Sequence, residues 1–223
     1  MKRFAVTTAL APLLLLVASL ASAQSVMFDE TGSLYQKQVR EQSLIELLAM
    51  ATPLVKSFDV VLFSEGVLSA PSHKVALASR EGRSRIDHVN QQRASAQRGE
   101  LRRSLTELFS QVKPPTARVT NLAAVLLRAT NESRPILLLT DGRDETGRRA
   151  SRLDDGNGVL VVLCPAKADN PSHELETFQT RRAAVLAMLP SASVFGCFQL
   201  NQAVERWAIS ASSATSVKLA TLR

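Results

Sequence analysis

Asp29-Glu30-Thr31-Gly32-Ser33 stands directly after the apolar run Ser25-Val26-Met27-Phe28. A short buried strand that runs into carboxylate, hydroxyl, glycine and hydroxyl puts oxygen-bearing side chains at alternate positions of a tight loop, where they can point the same way. The letters DETG return from Asp144 to Gly147, but there Arg148 takes the place of the serine. The repetition is therefore not read as a duplication, and only the first copy carries the oxygen pattern.

Further apolar runs at 58–63, 74–78, 135–140, 158–164 and 192–198 read as strands, joining the first at 25–28. Between most of them the apolar spacing turns helical: 34–51, 84–112, 120–129, a helix opened by Asn170-Pro171 and running to about Leu189, and a last one from Gln202 to about Ser210. Strands alternating with helices of this length predict an open, three-layer α/β/α sandwich, with a mostly parallel, doubly wound sheet. The link between 58–63 and 74–78 is too short for a crossover helix and predicts one antiparallel edge strand. In such sheets ligands sit beyond the carboxyl ends of the strands, where the strand order reverses.

Two later positions fall at such ends. Asp141 closes the strand Leu137-Leu138-Leu139-Thr140 and precedes Gly142, and Thr120 opens the helix that begins Asn121-Leu122-Ala123. The set Asp29, Thr31, Ser33, Thr120 and Asp141 resembles the metal-ion-dependent adhesion site of the von Willebrand factor type A domain family, written D-x-S-x-S, a distant T, and a D within T-D-G. Thr31 departs from the family's first serine but keeps the hydroxyl. The resemblance spans 25–210 and implies a divalent cation, Mg²⁺ or else Mn²⁺ or Ca²⁺, held by the hydroxyls of Thr31, Ser33 and Thr120. The two aspartates would act directly or through water. It also implies an open coordination position for a carboxylate presented by a partner protein, and a binding module with no catalysis of its own. Carboxylate and hydroxyl oxygens are hard ligands that suit these ions and not zinc. The same residues also fit plain helix caps and an Asp-Gly turn.

The chain's 223 residues suit one substantial domain, and 45% hydrophobic against 21% charged residues is the composition of a globular α/β protein. Residues 1–23 carry Lys2 and Arg3, an apolar stretch and Ala21-Ser22-Ala23, the pattern of a secretory signal peptide cleaved near Ala23. The expected organisation is that leader, a single domain over 24–211, and a C-terminal tail over 212–223, in an exported protein that is periplasmic or secreted. No second stretch after the leader is apolar for long enough to cross a bilayer. Loss of the leader takes the formal charge from +7 to +5, since Lys2 and Arg3 are its only charged residues.

Seven arginines (Arg80, Arg83, Arg85, Arg93, Arg98, Arg102 and Arg103) crowd one region, mixed with Glu81, Asp87 and Glu100. No aromatic residue is interleaved for base stacking, so nucleic acid is not expected. A solvated helix face or contact with an anionic envelope component fits better. Cys164 and Cys197 are the only cysteines, too few for a closed zinc site but enough for one bridge in an exported protein. His73, His88 and His173 are scattered, and Trp207 and Phe178 are placed as core residues. Phosphate-loop, dinucleotide and nucleophile-elbow motifs are absent.

Beside the binding module, two other readings stay open. Paired aspartates with Mg²⁺ could hydrolyse a phosphoester. A structural envelope protein with a vestigial site could make its contacts through the basic helix.

Overall fold

The structure is a computed structural model, and it describes residues 24–29, 31, 33–34, 36–51, 57–63, 73–76, 87–111, 121–131, 135–143, 152–153 and 158–220. The leader over 1–23, the second DETG, Thr120, and Arg80, Arg83 and Arg85 lie outside these residues.

Among the described residues, six strands form one sheet: β1 (Gln24–Asp29), β2 (Ser57–Phe63), β3 (His73–Ala76), β4 (Ile136–Thr140), β5 (Val159–Leu163) and β6 (Ser193–Gly196). The described residues also form the α-helices α1 (Lys37–Ala51), α2 (Asp87–Gln111), α3 (Leu122–Asn131), α4 (Glu174–Met188) and α5 (Leu200–Ala220). The strand order is β3-β2-β1-β4-β5-β6. Every neighbouring pair is parallel except β2 with β3, where Ser57 faces Ala76 and Val60 faces His73. This is the open, doubly wound α/β sheet with one antiparallel edge strand that the alternation of strand and helix predicts.

β1 lies at the centre, and all six of its residues are buried. A parallel strand covered on both faces has no solvent side, which is why 24–28 carries no alternation of polar and apolar residues. Alternate positions instead feed two cores. Val26, Phe28, Phe58, Val60, Leu137, Leu139, Leu160 and Val162 face α1, α2 and α5, while Met27, Val61, Phe63, Leu138, Val161 and Leu163 face α3 and α4. The T-shaped pairs Phe28–Phe109 (5.2 Å) and Phe58–Trp207 (5.6 Å) lock α2 and α5 to the first of these cores. Trp207 is fully buried, as its spacing suggests, and its indole N–H donates to the Pro135 carbonyl at 3.3 Å. Phe178 packs partly buried against the second core.

Three boundaries differ from the sequence reading for identifiable reasons. α1 starts at Lys37 and not near Leu34, because Leu34 forms an antiparallel bridge with Ala166 and Gln36 takes a positive φ of 50°. The cap of α3 is Asn121, whose Oδ1 accepts from the Ala124 N–H at 3.0 Å, so the capping role open to Thr120 is already filled. α5 continues to Ala220, since no glycine or proline follows Gly196 to stop it. Asn170 does cap the turn that leads into α4, accepting from the Ser172 N–H at 3.0 Å. Among the described residues, no helix is long and apolar enough to cross a membrane.

Candidate functional site

The chain leaves β1 toward β2 on one side and returns, after β3, to lay β4 on the other. The loops after β1 and β4 therefore diverge, and the crevice between them is the switch point where open α/β sheets bind ligands. Asp29 ends β1 and Asp141 follows β4, so the strand order brings these two carboxylates to that crevice.

Both are fully buried, as are Thr31 and Thr140. Asp29 is held at each oxygen: Oδ1 accepts from the Thr31 N–H at 2.9 Å, and Oδ2 accepts from the Thr140 hydroxyl at 2.7 Å. Thr140 Oγ1 in turn accepts from the Gly142 N–H at 3.1 Å, which satisfies its hydroxyl in both directions. Thr31 Oγ1 and Ser33 Oγ lie 2.8 Å apart and share a hydrogen bond, so the alternating oxygens of the first loop do converge. They do not cap α1, which begins only at Lys37.

Burial pushes the Asp29 carboxyl up to about 6, against the opposing pull of the Thr140 and Thr31 hydrogen bonds, and the nearby Asp141 charge adds to the rise. Asp141 accepts from the Arg143 N–H at 3.0 Å through Oδ1, whereas Oδ2 is buried with no hydrogen-bond partner among the described residues. An orphaned carboxylate oxygen beside a second buried carboxylate is costly unless something positive completes it.

The donor set suits a hard cation. Asp29, Thr31, Ser33 and Asp141 offer only oxygen, and Thr120, outside the described residues, immediately precedes the cap of α3. The described residues contain no cluster of three or more His, Cys, Asp or Glu able to hold a metal. A cation here would depend on hydroxyls, water and an external ligand as well as the two carboxylates.

The site's rim is built from the stretch after β5. Lys167 N–H donates to the Ser33 carbonyl at 2.7 Å, and Cys164 N–H donates to the Thr140 carbonyl at 2.9 Å, which ties that stretch to both loops. Cys164 and Cys197 are joined by a disulfide with a Cα–Cα distance of 4.6 Å, linking the ends of β5 and β6. Asp169 receives both Arg181 guanidinium nitrogens, at 2.7 and 2.5 Å. Partial burial would raise Asp169, but the Arg181 bonds, the Ala166 N–H and the Arg181 and Arg143 charges hold it below the usual carboxylate range.

Sequence reasoning missed Thr140 as a partner of Asp29, although the T of T-D-G was its signal. It also missed the Asp169–Arg181 pair, for which no motif gives warning. His88 and His173 lie at the surface, with His173 against Glu176 at 3.1 Å, and contribute nothing to the site. Of the crowded arginines, Arg102 bridges to Glu46 and fastens α2 to α1.

Fold and site together define a class: an open α/β domain with an oxygen-lined, doubly acidic crevice at its switch point. No protein-family model matches the chain, and no curated protein matches it. Among solved structures, the manganese-loaded TRAP protein of Plasmodium vivax is similar over 84% of this chain and 74% of that one, at 12% identity and a TM-score of 0.39. A likeness of that degree adds nothing to what the strand order and the side chains carry.

Proposed function

We propose that this protein is an exported binding module of the von Willebrand A kind. It holds a divalent cation, Mg²⁺ in the first place, at the crevice between β1 and β4 and uses it to engage a carboxylate of a protein partner. The observation that carries this reading is Asp141 Oδ2, buried beside the buried Asp29 and without a hydrogen-bond partner among the described residues. Two carboxylates of like charge in a dry crevice oppose each other, and a cation between them removes the conflict. Thr31 and Ser33 would supply neutral hydroxyl ligands, with Thr120 completing the set. Thr140 and the Thr31 N–H orient the Asp29 carboxylate, so its oxygens need no rearrangement when the ion arrives. When bound, the ion supplies a positive centre with only two negative protein ligands, which leaves it attractive to an external carboxylate. Adhesion, or assembly of an envelope or secretion complex, is the setting that fits an exported module of this kind. The exposed part of α2, including Arg103, offers a second, basic contact surface.

Calorimetric titration of the purified protein with Mg²⁺ and Mn²⁺ tests the reading. Saturable binding that disappears in Asp29→Ala plus Asp141→Ala is expected. Absence of heat in the wild-type protein, or unchanged binding in the double variant, removes the cation from the account.

A further inference from the structure

A cleft of about 870 Å³ opens between the Cys164–Cys197 bridge, the stretch after β5 and the start of α4. It is large for a side-chain gap and within the range of ligand sites. Its lining combines apolar and charged side chains. At the rim stand Phe198, 78% exposed, and Leu175, 68% exposed, the two most exposed large hydrophobic side chains among the described residues. The Phe198 ring packs against Gly196, where a Cβ would come within 2.5 Å of Cε1, so only glycine leaves room for it.

The charged lining favours an anion. Asp169 is neutralised by Arg181, which leaves Arg40 and Lys167 against Glu174 alone. Arg40 Nε is buried and has no hydrogen-bond partner among the described residues. That nitrogen is closed to solvent, so an incoming carboxylate would be met by the rest of the half-buried Arg40 side chain and by the exposed Lys167. The walls are pinned by the disulfide and the Asp169–Arg181 pair, so little ordering is needed on binding. Exposed aromatic and aliphatic anchors in a cleft whose charged lining carries a cationic surplus form the pattern of a protein-recognition surface.

We propose that this cleft is a peptide-binding groove for a partner segment that lays a bulky apolar side chain between Phe198 and Leu175 and an adjacent acidic group onto Arg40 and Lys167. The proposal rests on the binding-module reading for the class of partner only. The groove is tied to the crevice loops by the Lys167–Ser33 and Cys164–Thr140 backbone bonds.

The test is to pan the purified protein with a phage-displayed random peptide library in Mg²⁺ buffer, then measure the enriched peptides by fluorescence polarisation. Enriched sequences are expected to pair an acidic residue with a nearby aromatic or long aliphatic one. Phe198→Ser and Arg40→Glu should each weaken them about tenfold or more. Should Arg40→Glu disturb folding, Lys167→Glu, at an exposed position, carries the same charge reversal. No enrichment, enrichment without that pairing, or affinities unchanged in every groove variant overturns the proposal. Repeating the measurement in chelator separates the two readings. Peptides that survive chelator but are lost in Phe198→Ser support the groove and count against the cation's part in capture. Peptides lost in chelator yet indifferent to the groove variants overturn the groove and leave the cation site standing.

Discussion

The Thr140 hydroxyl donates to Asp29 Oδ2 at 2.7 Å across 111 residues of chain, inside a crevice where both side chains are fully buried. One neutral donor therefore joins the two parallel strands at the point where the strand order reverses. Its position fixes the Asp29 carboxylate relative to Asp141, and the site's chemistry depends on that relation.

Thr140→Val keeps the side chain's shape and removes the hydroxyl, leaving Asp29 Oδ2 and the Gly142 N–H unpartnered. The expected loss is about 2 kcal/mol in urea denaturation at neutral pH, together with weaker cation binding. Thr140→Ser should recover most of both. A Thr140→Val protein as stable as wild type would show that the bond contributes nothing net.

The raised Asp29 carboxyl makes the cation-free protein sensitive to pH. Its folded value of about 6 lies above the unfolded 3.8, so between them the folded state holds a proton that the unfolded state has lost. Stability from this group is complete below the unfolded value and is lost as pH rises through about 6, by about 3 kcal/mol. Thermal melts in chelator should fall between pH 4.5 and 7.5, and Asp29→Asn should flatten that decline. Asp169 acts in the opposite sense: its lowered carboxyl loses stability as pH falls, in a window below 3.8 that leaves the Asp29 effect separable.

Gly142 follows Asp141 with φ of +69°, and a Cβ there would meet Leu163 Cδ2 at 2.6 Å. Gly142→Ala should cost about 1–3 kcal/mol, from left-handed backbone strain and displacement of a core leucine. Because the displacement begins next to Asp141, cation affinity measured by calorimetry should fall with it. Unchanged affinity in a destabilised variant would uncouple the turn from the site.

The Cys164–Cys197 bridge closes a loop with a sequence separation of 33. Replacing both cysteines by serine should lower stability by about 3–4 kcal/mol on loop entropy alone. Guanidinium denaturation of the double variant against the oxidised wild type measures it. A difference below about 1 kcal/mol would mean that the wall is held by packing and the Asp169–Arg181 pair instead.

Strand and helix order was legible in the residues because both faces of the sheet are covered. Val26 to Phe28, Ile136 to Leu139 and Val159 to Leu163 read as uninterrupted apolar runs, and helical spacing between them left little choice but crossovers. The oxygens of Asp29, Thr31 and Ser33 were legible for a similar reason, since their convergence is a local property of one loop. The second DETG resembled the first in letters alone, and its four residues lie outside the described ones.

What tertiary structure alone decided involves pairs far apart in sequence. Thr140 found Asp29, Leu34 left the first helix to pair with Ala166, and Asn121 took the cap from Thr120. The buried Asp141 Oδ2, without a partner among the described residues, and the cleft lined by both Arg40 and Phe198 also exist only once the sheet has folded. Periodicity reports which face of an element is buried, through interactions a few residues long. It carries no information about which distant polar group will meet which, because that depends on strand order and on the desolvation the closed core imposes.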